Sequence, residues 1–327
     1  MTDPHLTAPL HIVGRFDDPH TGAERSLPDL AQALHGRRSV RLWSDVPPHP
    51  FFAQQGVRPL SMADGAFPRG GDLLIGGVHV QLGPWLEQCG VRRVTLRYNL
   101  PSHQRLFDAI TRIRAGTGID PELVFVSGAI RASVGLPGRV EPSLIRLDDF
   151  LRTPLQRADR GHLTVGRVSR DVLEKHDPRD VPLYRTLAAR GVQVRILGGQ
   201  CLQPWLGEEP GIALLPAGAE PVADFLAGLD IFFYRTGKFT EPYGRVVLEA
   251  MAAGLPVVAA ANGGYAEQIR HGVDGLLVRD QNDAVQALQA LVMSAPARQR
   301  MGEAARARAL QLHGPQAFGQ IVENYAR

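Results

Sequence analysis

Phe239-Thr240-Glu241-Pro242-Tyr243-Gly244-Arg245-Val246-Val247-Leu248-Glu249-Ala250-Met251-Ala252-Ala253-Gly254-Leu255-Pro256-Val257-Val258 reads as a tight turn, a short helix and a buried strand. Gly244 lets the backbone turn sharply and approach a ligand where a side chain would obstruct it. Residues 245–253 form a helical run, and Gly254 stands where a left-handed cap is wanted. Pro256 stops the helix, and Val257-Val258-Ala259-Ala260 follows as an apolar strand. A helix N-terminus carries unpaired N–H groups and partial positive charge, so it suits an anion. Glu241 and Glu249 flank that position eight residues apart. Each carboxylate can accept two hydrogen bonds, the chemistry that vicinal sugar hydroxyls require.

The same twenty positions, with Asn262-Gly263-Gly264-Tyr265-Ala266-Glu267 and Gly272-Val273-Asp274-Gly275-Leu276-Leu277-Val278 after them, resemble the donor-site signature of family-4 retaining glycosyltransferases (glycosyl transferases group 1). The resemblance covers nearly all of the second half of the chain. It implies an α/β protein of the GT-B class, with two Rossmann-like domains whose parallel sheets face each other across a cleft. It also implies transfer of a hexose-type sugar from a nucleotide-diphosphate donor with retention and without a metal. UDP- and GDP-sugars are the expected donors, and no separate cofactor is expected. The acceptor, whether a glycan, a lipid-linked molecule or a small molecule, is not legible.

Bulk properties agree with that class. The chain has 327 residues, enough for two domains. Its 44% apolar and 21% charged residues are those of a globular protein, with no apolar run of about eighteen residues to span a membrane. Met1-Thr2-Asp3-Pro4-His5 has no secretory pattern, and Cys89 and Cys201 are too few and too far apart for a disulfide framework, so a cytoplasmic location is expected. A formal charge of +3 does not argue for nucleic acid. The group Arg92, Arg93, Arg97, Arg105, Arg112 and Arg114 is an expected contact with a membrane surface or a lipid-linked acceptor.

Along the chain, residues 10–14 read as a first strand leading into Gly22-Ala23-Glu24-Arg25. The helix that follows places Leu27, Leu30, Ala31 and Leu34 on one face. Strands recur at 39–43, 72–76, 93–98 and 123–127, then at 162–167, 192–199 and 231–233. Strands alternating with helices predict parallel sheets. The expected domains are 1–155 on the acceptor side, 156–310 for the donor, and a terminal helix at 311–327 returning to the first domain. Residues 139–151 resemble the family's interdomain crossing, with 156–160 as a linker.

The resemblance also assigns roles. Gly22 and Ala23 match a small-residue motif near the donor's phosphates, with Thr21 where a second Gly is usual. Arg167 and Lys175 match the pair that neutralises the leaving diphosphate, although the spacing between them is longer than is common. Glu249 takes the ribose hydroxyls and Glu241 those of the transferred sugar, helped by the backbone of Tyr243, Gly244 and Arg245. His79, with His103 as the alternative, lies beneath the sugar, so the catalytic set is His79, Glu241 and Arg167. Arg235 and Lys238 are further candidates for a phosphate or an acidic acceptor. A GT-B nucleotide-sugar epimerase and an idle GT-B subunit that binds a partner protein are the competing readings. The sequence lacks Asp-x-Asp, Gly-x4-Gly-Lys-Ser/Thr, His-Glu-x-x-His and Gly-x-Ser-x-Gly patterns.

Overall fold

A computed structural model describes residues 8–156 and 160–327. The chain divides into two compact units, residues up to Ile145 together with Gln316–Arg327, and Arg146–Pro315. Part of the expected linker, residues 157–159, and the first residues of the chain lie outside the described residues.

The first unit holds β1 (Leu10–Gly14), β2 (Val40–Ser44), β3 (Arg58–Pro59), β4 (Asp72–Ile75), β5 (Arg93–Tyr98), β6 (Glu122–Phe125) and β7 (Arg139–Val140). Their order is β3-β2-β1-β4-β5-β6-β7, and all the pairings are parallel. The second unit holds β8 (Thr164–Val168), β9 (Gln193–Leu197), β10 (Ile212–Leu215), β11 (Ile231–Tyr234), β12 (Val257–Ala260) and β13 (Leu276–Val278). Their order, β10-β9-β8-β11-β12-β13, repeats that of the first sheet, again wholly parallel. Both units are Rossmann-like. In each, the order reverses beside the first strand, between β1 and β4 and between β8 and β11, and ligands of open parallel sheets sit at the carboxyl ends there.

Parallel strands covered by helices on both faces read as near-continuous apolar runs, and all five residues of β1, His11 included, are buried. One face of the first sheet packs Val13, Trp43, Ile75 and Leu96. The other packs Ile12 and Leu42 against Leu27 and Leu30 and against Ile321, Val322 and Tyr325 of helix Pro315–Ala326.

The unit boundary falls at Ile145, ahead of the expected residue 155, because residues 148–151 already belong to the second unit. Helix Asp148–Leu151 buries Phe150 and packs on helices Arg245–Ala252 and Val222–Ala227. Residues 139–140, expected within the crossing, instead pair with β6 as an edge strand.

The arginine group does not form one basic face. Arg97 is 1% exposed and paired with Glu141 at 2.7 Å. Arg92 and Arg93 reach Asp72, Arg112 donates to the Leu82 carbonyl, and Arg114 pairs with Asp120. Among the described residues no helix is long and apolar enough to cross a membrane.

Candidate active site

The second unit gathers its polar residues where β8 and β11 diverge. Lys175 ends a short 3₁₀ turn in the loop after β8. Glu241 lies in the loop after β11, and Lys175 Nζ donates to Glu241 Oε2 at 2.7 Å. The Tyr234 hydroxyl, at the end of β11, donates to the same oxygen at 3.0 Å. Lys175 Nζ also stands 3.8 Å from the centre of the Phe239 ring. The lysine is 7% exposed. Burial pulls its ammonium below the usual lysine range, with Glu241 opposing the shift. Burial, and then Glu241, hold the Tyr234 phenol well above its ordinary value. In the sequence Phe239 opens the twenty-residue signature and Tyr234 directly follows the strand at 231–233, and neither is assigned a role there.

Gly244 caps helix Arg245–Ala252 in the left-handed region at φ 76°. A Cβ there would lie 2.7 Å from Tyr265 Cδ1, so glycine is required by both the turn and the space. Gly254 at the other end has φ 74°, as expected. Within the helix Glu249 is 4% exposed, and Arg245 Nε approaches its Oε1 to 3.8 Å one turn earlier. Tyr243 is held at both ends. Its carbonyl accepts from Gln268 Nε2 at 2.8 Å, and its hydroxyl bonds His313 Nε2. Burial lowers His313 to about 3, so the ring stays neutral.

Arg167 differs from expectation. It is 1% exposed, with Nη1 donating to the Arg235 carbonyl at 2.8 Å and Nη2 to the Lys175 carbonyl. Its guanidinium lies 4.9 Å from the Tyr234 ring centre. The side chain therefore ties the Lys175 loop to the end of β11. Arg235 is likewise inside, 3% exposed, with Asp177 Oδ2 at 2.9 Å and Asp180 Oδ1 at 3.2 Å. Its other contacts are the Asp280 carbonyl and Gln281 Oε1, whereas Lys238 is exposed.

His79, Gly22 and Ala23 belong to the first unit. Gly22 and Ala23 open helix Gly22–Ala33, and the next residue, Glu24, places Oε1 3.5 Å from His79 Nε2. His103 begins helix His103–Thr117 and is exposed.

Residues 214–308 match the family model described as glycosyl transferases group 1, the stretch that holds the signature read in the sequence. A D-inositol 3-phosphate glycosyltransferase of Stackebrandtia nassauensis is 33% identical over 58% of this chain and 42% of its own length. Another, of Thermobifida fusca, is 35% identical over 43% of this chain and 36% of its own length. The chain thus spans about two fifths of the curated relatives it matches. Among solved structures, Anabaena HepE in complex with UDP-glucose has a TM-score of 0.72 at 17% identity, covering 98% of this chain and 99% of that one. Sucrose-phosphate synthase of Thermosynechococcus elongatus gives 0.70 at 16% identity, covering 97% and 99%. The likeness is one of fold, two Rossmann-like units of the GT-B class.

Proposed function

We propose that this chain is a retaining glycosyltransferase that moves a hexose-type sugar from a nucleotide diphosphate to an acceptor and needs no metal. The observation that carries this reading is the Lys175–Glu241 pair at the switch point of the second sheet, where the chain leads from Glu241 through Gly244 into helix Arg245–Ala252 with its buried Glu249. An ammonium and a helix N-terminus together suit a diphosphate, and the two carboxylates suit hydroxyls of the ribose and of the sugar.

In this reading Glu249 holds the ribose, Glu241 the transferred sugar, and Lys175 the leaving diphosphate. The backbone of Tyr243, Gly244 and Arg245 supports the phosphates and the sugar. Arg167 acts through Lys175, holding its carbonyl in place. Gly22, Ala23 and His79, in the first unit, keep the roles that the family resemblance implies for them. Same-face displacement through an oxocarbenium-like state leaves the protein chiefly to position the groups and stabilise charge. UDP is the first nucleotide to test, since HepE has been solved with UDP-glucose.

The test is thermal unfolding with UDP, GDP, ADP and dTDP. A ligand at a hundred times its dissociation constant stabilises a fold by about 2.7 kcal/mol. A rise with one nucleotide supports the donor site and identifies its base. No rise with any of them overturns the reading.

A further inference from the structure

The first unit holds a cavity of about 1010 Å³ at the edge of its sheet. The segments around it, 35–39 ahead of β2 and 55–56 ahead of β3, lead into strands, so it opens at the amino ends of the parallel sheet. The loops assigned to the reaction leave the carboxyl ends, and the cavity lies apart from them. Four guanidiniums line it, and no Asp or Glu does among the described residues. Two of the four are engaged elsewhere. Arg38 is buried against Asp72 at 2.5 Å, and Arg37 pairs with Glu323. Arg41 and Arg58 are exposed, and neither guanidinium has a hydrogen-bond or ion-pair partner among the described residues.

The strand register brings these two together. Trp43 of β2 pairs with Arg58 of β3, and Arg41 stands two residues before Trp43. Side chains alternate along a strand, so Arg41 and Arg58 leave the same face of the sheet, their Cα atoms roughly 8 Å apart. The backbone adds donors. β3 pairs with β2 only at Trp43 and Ser44, which leaves Val40, Arg41 and Leu42 on the cavity wall with no described strand beyond them. N–H groups of such an open edge look outward for an acceptor. A concave wall of one charge sign focuses its field, and a guanidinium fork matches phosphate oxygens two at a time. The volume is at the top of the range of about 300–1,000 Å³ for small-molecule pockets, leaving room for an organic body behind a phosphate.

We infer that this cavity is a second binding site, for a phosphate-bearing anion held by Arg41 and Arg58 and by the open edge of β2. Its place at the amino ends makes that anion an effector and not a reactant. Titration calorimetry of the intact chain with inorganic pyrophosphate, at saturating UDP, tests it. UDP fills the donor site, so the pyrophosphate binding that remains reports the cavity. Arg41→Gln and Arg58→Gln together should weaken that binding at least roughly tenfold, two charge-assisted contacts being lost. The UDP-induced rise in melting temperature should stay as it is in the parent.

Arg131→Gln removes an exposed arginine that does not line the cavity and should change nothing. Equal weakening by that variant would reduce the effect to net charge and overturn the proposal. So would undiminished binding in the paired variant, or no pyrophosphate binding at millimolar concentration. Sedimentation with phosphatidylcholine vesicles, with and without phosphatidylglycerol, identifies the source of the anion. Capture by the anionic vesicles that depends on Arg41 and Arg58 assigns it to a lipid headgroup, and no capture assigns it to a free phosphate compound. Pyrophosphate binding that is lost in the paired variant of a chain showing no response to UDP would overturn the donor reading and leave this site standing.

Discussion

Lys175 Nζ and Glu241 Oε2 lie 2.7 Å apart although 66 residues separate them in the chain. One residue lies in the loop after β8 and the other in the loop after β11, the two parallel strands between which the strand order of the second sheet reverses. The pair exists because the fold brings those two loops together.

Lys175→Met should weaken UDP binding about 10–100-fold, the equivalent of a charge-assisted hydrogen bond worth about 1.5–3 kcal/mol. Lys175→Arg should recover part of it. Titration calorimetry decides, and unchanged affinity in the methionine variant would remove Lys175 from the diphosphate.

Glu249→Ala should reduce affinity for a nucleoside diphosphate by about tenfold or more, since two ribose hydroxyls lose their acceptor. Glu241→Gln should instead spare UDP and weaken UDP-glucose. If both variants weakened UDP equally, the division of labour between the glutamates would fail.

Gly244→Ala must place a Cβ 2.7 Å from Tyr265 Cδ1 at φ 76°. The left-handed conformation costs an L-residue about 1–2 kcal/mol, and Tyr265 is fully buried and unable to retreat. A fall in melting temperature with loss of nucleotide response is expected. A variant matching the parent in both would refute the steric requirement.

Arg167 separates a binding role from a structural one. Its guanidinium is spent on two carbonyls inside the unit, so Arg167→Ala should lower the melting temperature even without ligand, through lost packing and unpaired carbonyls. A parent-like melting temperature with weakened UDP binding would restore the direct phosphate contact expected from the sequence.

Two buried groups give the pH profile opposite slopes. Asp180 is raised from 3.8 to about 7 by burial, which outweighs Arg235 because neither carboxylate oxygen has a hydrogen-bond partner. Its neutral form is the favoured one, so stability is full below pH 4 and declines as pH rises through about 7. Asp180→Asn should therefore gain on the parent progressively across that window. His313, lowered from 6.5 to about 3, contributes stability above 6.5 that is lost as pH falls toward 3. His313→Gln should soften that acid loss. Melting temperatures between pH 3 and pH 8 give both signs, and parallel curves would contradict the assignments.

By itself the sequence determined the local elements and the resemblance to glycosyl transferases group 1. Gly244, Gly254 and Pro256 delimit one helix by backbone stereochemistry, and the apolar runs mark most of the strands, because both signals are carried by neighbouring residues. The two-residue edges β3 and β7 were illegible, being too short to show a period. What only the tertiary structure decided was the fate of the charged side chains. In the sequence Arg97 reads as one of a basic surface group, Arg167 as a ligand of the diphosphate, and Arg235 as a candidate contact for a phosphate or an acidic acceptor. They are buried because Glu141, the carbonyls of Arg235 and Lys175, and Asp177 respectively converge on them from distant segments. A guanidinium enters the interior only where such partners offset its desolvation, and the partners are assembled by the order of the strands.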